Sequence, residues 1–85
     1  MNVRLLYFAR LREDMGIAQE VLDLPAKTCD VKGLRAQLVA RGGASAVALA
    51  PGKAVRVSVN QDLARDDTPV KAGDEIAFFP PVTGG

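Results

Sequence analysis

The sequence predicts an α+β domain, with one main helix packed across a mixed sheet of four or five strands. Alternating side chains near the start, in the middle and near the end of the chain are typical of strands with one buried face. Residues 31–41 instead carry apolar side chains three and four positions apart, which is typical of a helix with one buried stripe. This order of elements, in a chain of 85 residues, indicates a single domain with the helix on one face of the sheet.

The first strand is predicted within residues 1–10. The set that should face the core contains no charged residue and comprises Val3, Leu5, Tyr7 and Ala9. Phe8 and Leu6 then lie on the outer face, flanked by Arg4 and Arg10. Two apolar side chains on the outer face indicate a role for that face beyond solvation.

The segment over residues 11–16 is predicted to be a helical turn or a loop, because it is short and ends in glycine. A second strand over residues 18–24 is predicted to pair with the first as a hairpin. Val21 is predicted to point into the core, with Leu24 as a second candidate, and Pro25 ends the strand.

The main helix is predicted to begin after Asp30, whose carboxylate can accept a hydrogen bond from the first turn. Its buried stripe comprises Val31, Leu34 and Leu38. Gly33 weakens such a helix by about 1 kcal/mol relative to alanine, so close packing against the sheet is predicted there. The glycines at residues 42–43 end the helix, and residues 44–50 are predicted to form a short second one.

The second half of the chain is predicted to add further strands to the sheet. The clearest alternation has Val55, Val57 and Val59 facing inward. A brief edge strand is predicted over residues 61–64 and a turn over residues 71–74. In the last strand, residues 75–79, the inward side chains are Ile76 and Phe78, and the outward ones are Glu75, Ala77 and Phe79.

Composition argues against several classes of function. The net charge is +1 with the charges interspersed, so no basic stripe offers a footprint for nucleic acid. Cys29 is the only cysteine and histidine is absent, which argues against a disulfide, a zinc or iron–sulfur site and Cys–His catalysis. Cys29 is interpreted as a small structural residue rather than a sulfur acceptor. The acidic pairs at residues 66–67 and 74–75 are expected to be solvated, with no metal site.

A cytoplasmic location is expected, with no membrane partner. Residues 1–14 mix charges into an apolar run and contain no small-residue cleavage site, so they do not have the pattern of a signal peptide. No apolar run approaches the ~20 residues that span a bilayer. A single thiol also suits a reducing compartment.

The end of the chain, residues 80–85, is predicted to form an extended, mobile arm that leaves the domain of residues 1–79. The two prolines at its start fix φ and remove two backbone donors, so the arm cannot continue the sheet. The two glycines at its end have no Cβ and gain nothing from packing. At ~3.3 Å per residue the arm spans about 20 Å, enough to thread into the active site of another protein.

The backbone carboxylate of Gly85 is the predicted reactive group. A side chain on Gly84 or Gly85 would block a narrow enzyme channel in which ATP must approach the carbonyl. A carboxylate is a poor electrophile, so adenylation must come first, after which a sulfur donor can displace AMP and leave a thiocarboxylate. A diglycine end also occurs by accident, but here it follows a proline-stiffened exit on a chain with no other reactive constellation.

Both ends and the middle of the chain resemble one family, the small sulfur-carrying subunits of molybdopterin synthase. The ending FFPPVTGG at residues 78–85, preceded by AGDEIA at residues 72–77, is similar to the C-terminus of that family. The opening at residues 3–13 resembles its first strand and following turn, and residues 59–61 resemble its central segment.

The resemblance implies a ubiquitin-like β-grasp fold and a sulfur carrier of molybdenum cofactor biosynthesis. An E1-like enzyme would consume ATP to adenylate Gly85, and a sulfur donor protein would supply the sulfur of the thiocarboxylate. The arm residues that would thread into the large synthase subunit are Pro80, Pro81, Val82, Thr83 and Gly84. There the sulfur would pass to a cyclic pterin precursor to build the dithiolene of molybdopterin.

The resemblance also implies how the two subunits bind each other and which of them carries the catalytic side chains. Phe8, Leu63 and Phe79 match positions at which the family docks its large subunit, although Phe8 or Leu63 could instead complete the core or a minor cluster. The pair would form a heterotetramer, with the catalytic side chains in the large subunit and no cofactor bound permanently to this chain.

Three alternatives remain open at the level of sequence. A carrier for thiamin or tRNA thiolation would use the same chemistry, although thiamin carriers are usually shorter and lack the Phe-Phe-Pro-Pro run. A ubiquitin-like modifier would join its tail to lysines through isopeptide bonds. A plain interaction module would carry an inert tail.

Overall fold

The computed structural model describes residues 1–28 and 30–81. Within these ranges the elements are β1 (Asn2–Tyr7), α1 (Ala9–Met15), β2 (Gln19–Asp23), α2 (Val31–Ala40), α3 (Gly43–Ala48), β3 (Arg56–Val59), β4 (Asp62–Leu63) and β5 (Glu75–Phe79). The strands form one sheet in the order β2-β1-β5-β3-β4. β1 and β5 are parallel and the other neighbours are antiparallel, so the predicted mixed sheet with a main helix is confirmed.

One face of the sheet and the buried stripe of α2 share a single hydrophobic core. The inward residues of the sheet that are buried as predicted are Val3, Leu5, Tyr7, Val57, Val59, Ile76 and Phe78. The predicted stripe of α2 is buried as well and comprises Val31, Leu34 and Leu38. The rings of Tyr7 and Phe78 stack at the centre, with centroids 6.1 Å apart. Since each large apolar side chain contributes roughly 1.5–3 kcal/mol on full burial, this core holds the sheet and α2 together.

The short helix, the edge strand and the turn of the second half are also found where they were predicted. α3 lies within residues 44–50 apart from its first residue, β4 lies at the sheet edge, and a turn precedes β5. In the described part of the chain no helix is long and apolar enough to cross a membrane.

The prediction of a turn or loop after β1 is wrong, because the segment forms the helix α1. Leu11 and Met15 lie four residues apart and are both buried, so packing of this face stabilises a helix too short to persist alone. Gly16 ends the helix with a φ of 75°, and its N–H donates to the carbonyl oxygen of Arg12 at 3.0 Å.

The prediction that Val21 lies in the core is also wrong, since its side chain is 68% exposed. β2 instead directs Glu20 and Leu22 towards the core, and Leu24 is buried just beyond the strand. The polar residue takes an inward position because the buried Tyr7 hydroxyl needs an acceptor, and Glu20 Oε2 accepts from it at 2.8 Å.

Asp30 is the N-cap of α2, as predicted, and its carboxylate accepts a hydrogen bond from the N–H of Gly33 at 2.8 Å. The explanation predicted for Gly33 is wrong, because its near neighbours belong to the cap and not to the sheet. A Cβ at Gly33 would lie 3.2 Å from Asp30 Oδ1 and 3.6 Å from Thr28 Cγ2. Glycine therefore leaves room for the capping carboxylate.

Arg41, directly after α2, joins the helix end to β2. Its Nη1 and Nη2 donate to Glu20 Oε1 and Oε2 at 2.7 and 3.0 Å, a bidentate pair. The hydrogen bonds from Arg41, with a further one from Tyr7, hold the pKa of Glu20 below its usual range. Burial, reinforced by Glu20, raises the pKa of Tyr7. The three side chains form one network between β1, β2 and the end of α2.

We expect Glu20→Gln to lower the free energy of unfolding by about 1–2 kcal/mol at neutral pH, because it breaks a charge-assisted pair of hydrogen bonds. Folding lowers the pKa of Glu20, so the carboxylate stabilises the fold above its unfolded-state pKa. This contribution is lost as the pH falls through the folded-state pKa. Urea unfolding at a series of pH values should therefore show the two proteins converging in acid.

Glu13→Gln is the matched control, because Glu13 is exposed on α1. It should leave the stability and its pH dependence unchanged. A Glu20→Gln deficit of the same size at every pH would contradict the role assigned to the ionised carboxylate.

Candidate functional site

The tail leaves the domain from the central strand of the sheet. β5 is hydrogen-bonded to β1 on one side and to β3 on the other. At its end, Phe79 pairs with Arg56 of β3, and Phe78 accepts a hydrogen bond from the N–H of Phe8 at 3.1 Å. Because this strand is paired on both sides, the fold fixes the position of its end, from which Pro80 and Pro81 follow.

The outer face, meaning the sheet surface opposite α2, carries a row of small and apolar side chains. Neighbouring strands pair Leu6 with Ala77, Ala77 with Ser58 and Ser58 with Leu63. Ala77 belongs to the outer face, as predicted, yet is only 7% exposed, because its small side chain lies between neighbours on both adjacent strands. Leu63, on the edge strand, is 64% exposed.

The three predicted partner-binding residues all lie on or beside the outer face. Phe8 follows β1 directly and is 49% exposed, and Phe79 is half-buried at the end of β5. These two lie at the same end of the sheet because β1 and β5 run parallel. Leu63 lies on the edge strand β4, two strands away from β5. Phe8 and Phe79 therefore lie beside the end of β5, whereas Leu63 lies on the outer face at the edge of the sheet.

The sharp turn that keeps Phe8 outside was not apparent from the sequence. Ala9 has a φ of 52°, in the left-handed region that favours glycine, and α1 begins at this residue. A non-glycine residue in this conformation costs of the order of 1 kcal/mol, and such strain is concentrated at functional sites. An alanine gives no sequence signal for a positive φ.

Asn60 holds the turn that positions Leu63. It has a φ of 51°, its Nδ2 donates to Asp74 Oδ1, and its Oδ1 accepts from the N–H of Glu75, both at 3.0 Å. Asp74 also accepts from the N–H of Lys71 at 2.8 Å. The short strand that carries Leu63 is thus tied to the start of β5.

The expectation that the acidic pair at residues 74–75 is solvated is wrong. Asp74 is only 7% exposed and its carboxylate accepts hydrogen bonds from Asn60 and Lys71, and Glu75 forms an ion pair with Arg4. Both carboxylates therefore serve the structure of the sheet. The pair at residues 66–67 is exposed, as expected.

The first two residues of the arm, Pro80 and Pro81, are half-buried and line a groove of about 740 Å³. The predicted reactive and threading residues Val82, Thr83, Gly84 and Gly85 lie outside the described residues, as does Cys29. Their roles, and the predicted domain boundary after residue 79, stay predictions. Among the described residues no group of three or more His, Cys, Asp or Glu side chains is placed to hold a metal ion.

The sheet order and the helix packed across the sheet define a ubiquitin-like β-grasp protein, as solved structures of similar proteins show. The family model for the ThiS family matches residues 5–85, and the chain belongs to that family. The molybdopterin synthase sulfur carrier subunit of Escherichia coli is 41% identical over 83 residues, which cover 98% of this chain and 99% of that protein. The resemblance predicted from the sequence is therefore confirmed.

Two solved structures extend the comparison. Small archaeal modifier protein 1 of Haloferax volcanii aligns with a TM-score of 0.77 and 25% identity, over 95% of this chain and 98% of that one. A protein–protein complex of subunits 1 and 2 of molybdopterin-converting factor from Helicobacter pylori contains a chain that aligns with a TM-score of 0.65 and 28% identity, with both chains fully covered.

Proposed function

We propose that this chain is the sulfur carrier of a molybdopterin synthase and takes part in molybdenum cofactor biosynthesis in the cytoplasm. The observation that carries the proposal is that the match to the ThiS family runs to Gly85, so it includes the diglycine end. The likeness to the sulfur carrier subunit of Escherichia coli spans nearly the whole of both chains. The reactive group would be the Gly85 carboxylate.

The proposed chemistry has three steps. The Gly85 carboxylate attacks the α-phosphorus of ATP on an E1-like enzyme, which forms the acyl adenylate and releases pyrophosphate. Sulfur at the oxidation level of sulfide, supplied by a donor protein, then attacks the acyl carbon, so that AMP leaves and a thiocarboxylate remains. The sulfur of the thiocarboxylate, a good nucleophile at neutral pH, finally forms a bond to a cyclic pterin precursor, and water cleaves the acyl–sulfur bond to return the Gly85 carboxylate. Gly84 and Gly85 suit the first two steps because neither has a side chain to obstruct the channel.

The proposed acceptor of the tail is the large subunit of molybdopterin synthase. The Helicobacter pylori complex pairs a chain of this fold with a second subunit. The outer face offers Phe8 and Phe79 beside the end of β5 and Leu63 at the sheet edge, and aromatic anchors such as the two phenylalanines dominate the free energy of many interfaces. Docking on this face would thread the arm into the active site of the partner, starting at Pro80 and continuing through Val82 and Thr83.

A second function, ubiquitin-like modification of proteins, is favoured by one observation. The Haloferax volcanii relative is a small archaeal modifier protein, and it aligns over nearly the whole of this chain. A modifier shares the adenylation step but ends in an isopeptide bond to a lysine. The two functions therefore differ only after Gly85 has been activated.

The test is the intact mass of the full chain after incubation with ATP, its E1-like enzyme and a sulfur donor. The proposal expects a mass increase equal to the replacement of one oxygen by sulfur, and no increase when Gly85 is deleted. No change of mass with an enzyme shown to be active would overturn the carrier function. Covalent products with lysines of other proteins, in place of the thiocarboxylate, would support the modifier.

A further inference from the structure

The groove at the tail exit, here called the exit groove, lies on the helix side of the point where the arm leaves. It is formed by α1, α3, the segment before β3 and the first two arm residues. Its floor includes the buried side chain of Leu11, and its wall includes Pro80 and Pro81. The outer face lies on the other side of the same exit, so the two surfaces flank the arm.

Val47 adds an exposed apolar side chain to the exit groove. It lies on α3, whose other residues are glycine, alanine and serine, and its side chain is 67% exposed. Valine is a poorer helix former than alanine, and an exposed valine gains little from burial. Neither helix propensity nor core packing therefore explains an apolar residue of this size at the groove wall.

The rim of the exit groove is positively charged. Arg10 and Lys53 line it and are exposed, and Asp14 is the one acidic residue among its lining. Within residues 1–28 and 30–81, neither Arg10 nor Lys53 takes part in an ion pair. An apolar floor beneath two cations is complementary to an apolar side chain that is followed or preceded by a carboxylate.

We propose that the exit groove binds a segment of the large synthase subunit in which an apolar side chain is next to a carboxylate. This inference rests on the proposed function. An enzyme that encloses the arm has to surround Pro80 and Pro81, and the outer face can cover only one side of them. The exit groove is continuous with that exit and offers the second side. The partner therefore holds the carrier on both sides of the tail.

The apolar wall should contribute more to affinity than the charged rim. Exposed ion pairs contribute little to affinity, so Arg10 and Lys53 chiefly orient the partner and speed association. Val47 contributes by excluding water from the contact. A carboxylate at position 47 would remove that contact and would also face the acidic segment of the partner.

The experiment measures the Kd between the full chain and the purified large subunit of the same organism by calorimetry. We expect Val47→Asp to weaken binding at least ~10-fold, the equivalent of 1.4 kcal/mol, and Val47→Ala to weaken it a few-fold. Gln37→Glu is the control for the added carboxylate, because Gln37 is exposed on α2 and lies neither in the exit groove nor on the outer face. It should change the Kd less than ~2-fold, within the range of neutral interface contacts.

Thiocarboxylate formation, followed by mass, is the second measurement on each variant. The inference expects Val47→Asp to be loaded with sulfur at the wild-type rate. Wild-type affinity of Val47→Asp, or equal losses in Val47→Asp and Gln37→Glu, would overturn it while leaving the proposed function in place. Impaired sulfur loading with unchanged affinity for the large subunit would also overturn it, because the groove would then serve the activating enzyme. A wild-type chain that neither accepts sulfur nor binds the large subunit would overturn both.

Discussion

A single alanine added after Gly85 should abolish sulfur loading. The added residue moves the carboxylate away from the diglycine and places a Cβ where the activating enzyme must bring ATP to the carbonyl. Gly85 would then lie within a peptide bond, which offers no carboxylate oxygen to attack phosphorus. The measurement is the intact mass after incubation with ATP, the E1-like enzyme and the sulfur donor, for which we expect no detectable sulfur-containing product.

The control for this prediction starts from an extended chain and then restores the end at Gly85. A protease site placed after Gly85 allows the extension to be removed, and loading should return to the wild-type level. Urea unfolding should be the same before and after cleavage, because the arm follows the last strand of the sheet. Loading of the extended chain at the wild-type rate would show that Gly85 is not the reacting residue.

Much of the fold could be predicted because large apolar side chains alternate with other residues along β1, β3 and β5. Val57 and Val59, Ile76 and Phe78 are buried as the period of two requires. β2 departs from a simple hydrophobicity pattern, since Glu20 points inward and Val21 outward. This exchange depends on the hydroxyl of Tyr7, which the sequence places on another strand, so local pattern could not reveal it.

The candidate site was predictable in part for a related reason. Phe8 could be recognised because it interrupts the alternation of β1 beside charged residues, and it is exposed in the structure. The exit groove could not be recognised, because Arg10, Val47 and Lys53 come from three separate segments. Each is unremarkable in its own segment, and only the packing of α1 and α3 at the end of the sheet brings them together.

Phe8→Ala should weaken binding of the large subunit by about 100-fold, the equivalent of ~2.7 kcal/mol. The ring is 49% exposed at the tail exit, so it is available for a partner but adds little to the core. Leu63→Ala should have a smaller effect, about 10-fold, because Leu63 lies at the sheet edge and has no ring to insert into a pocket. Calorimetric titration of the full chain with the purified large subunit measures both.

Gln37→Ala is the control for Phe8→Ala, since Gln37 is exposed on α2, on the side of the sheet away from the outer face, and does not line the exit groove. It should leave the Kd unchanged. Urea unfolding separates the two roles that the sequence left open for Phe8. If the ring docks the partner, Phe8→Ala changes the free energy of unfolding by less than ~1 kcal/mol, as expected for truncation of a surface side chain, while the affinity falls. If the ring instead completes the core, the stability falls by several kcal/mol and the affinity of the folded protein is preserved.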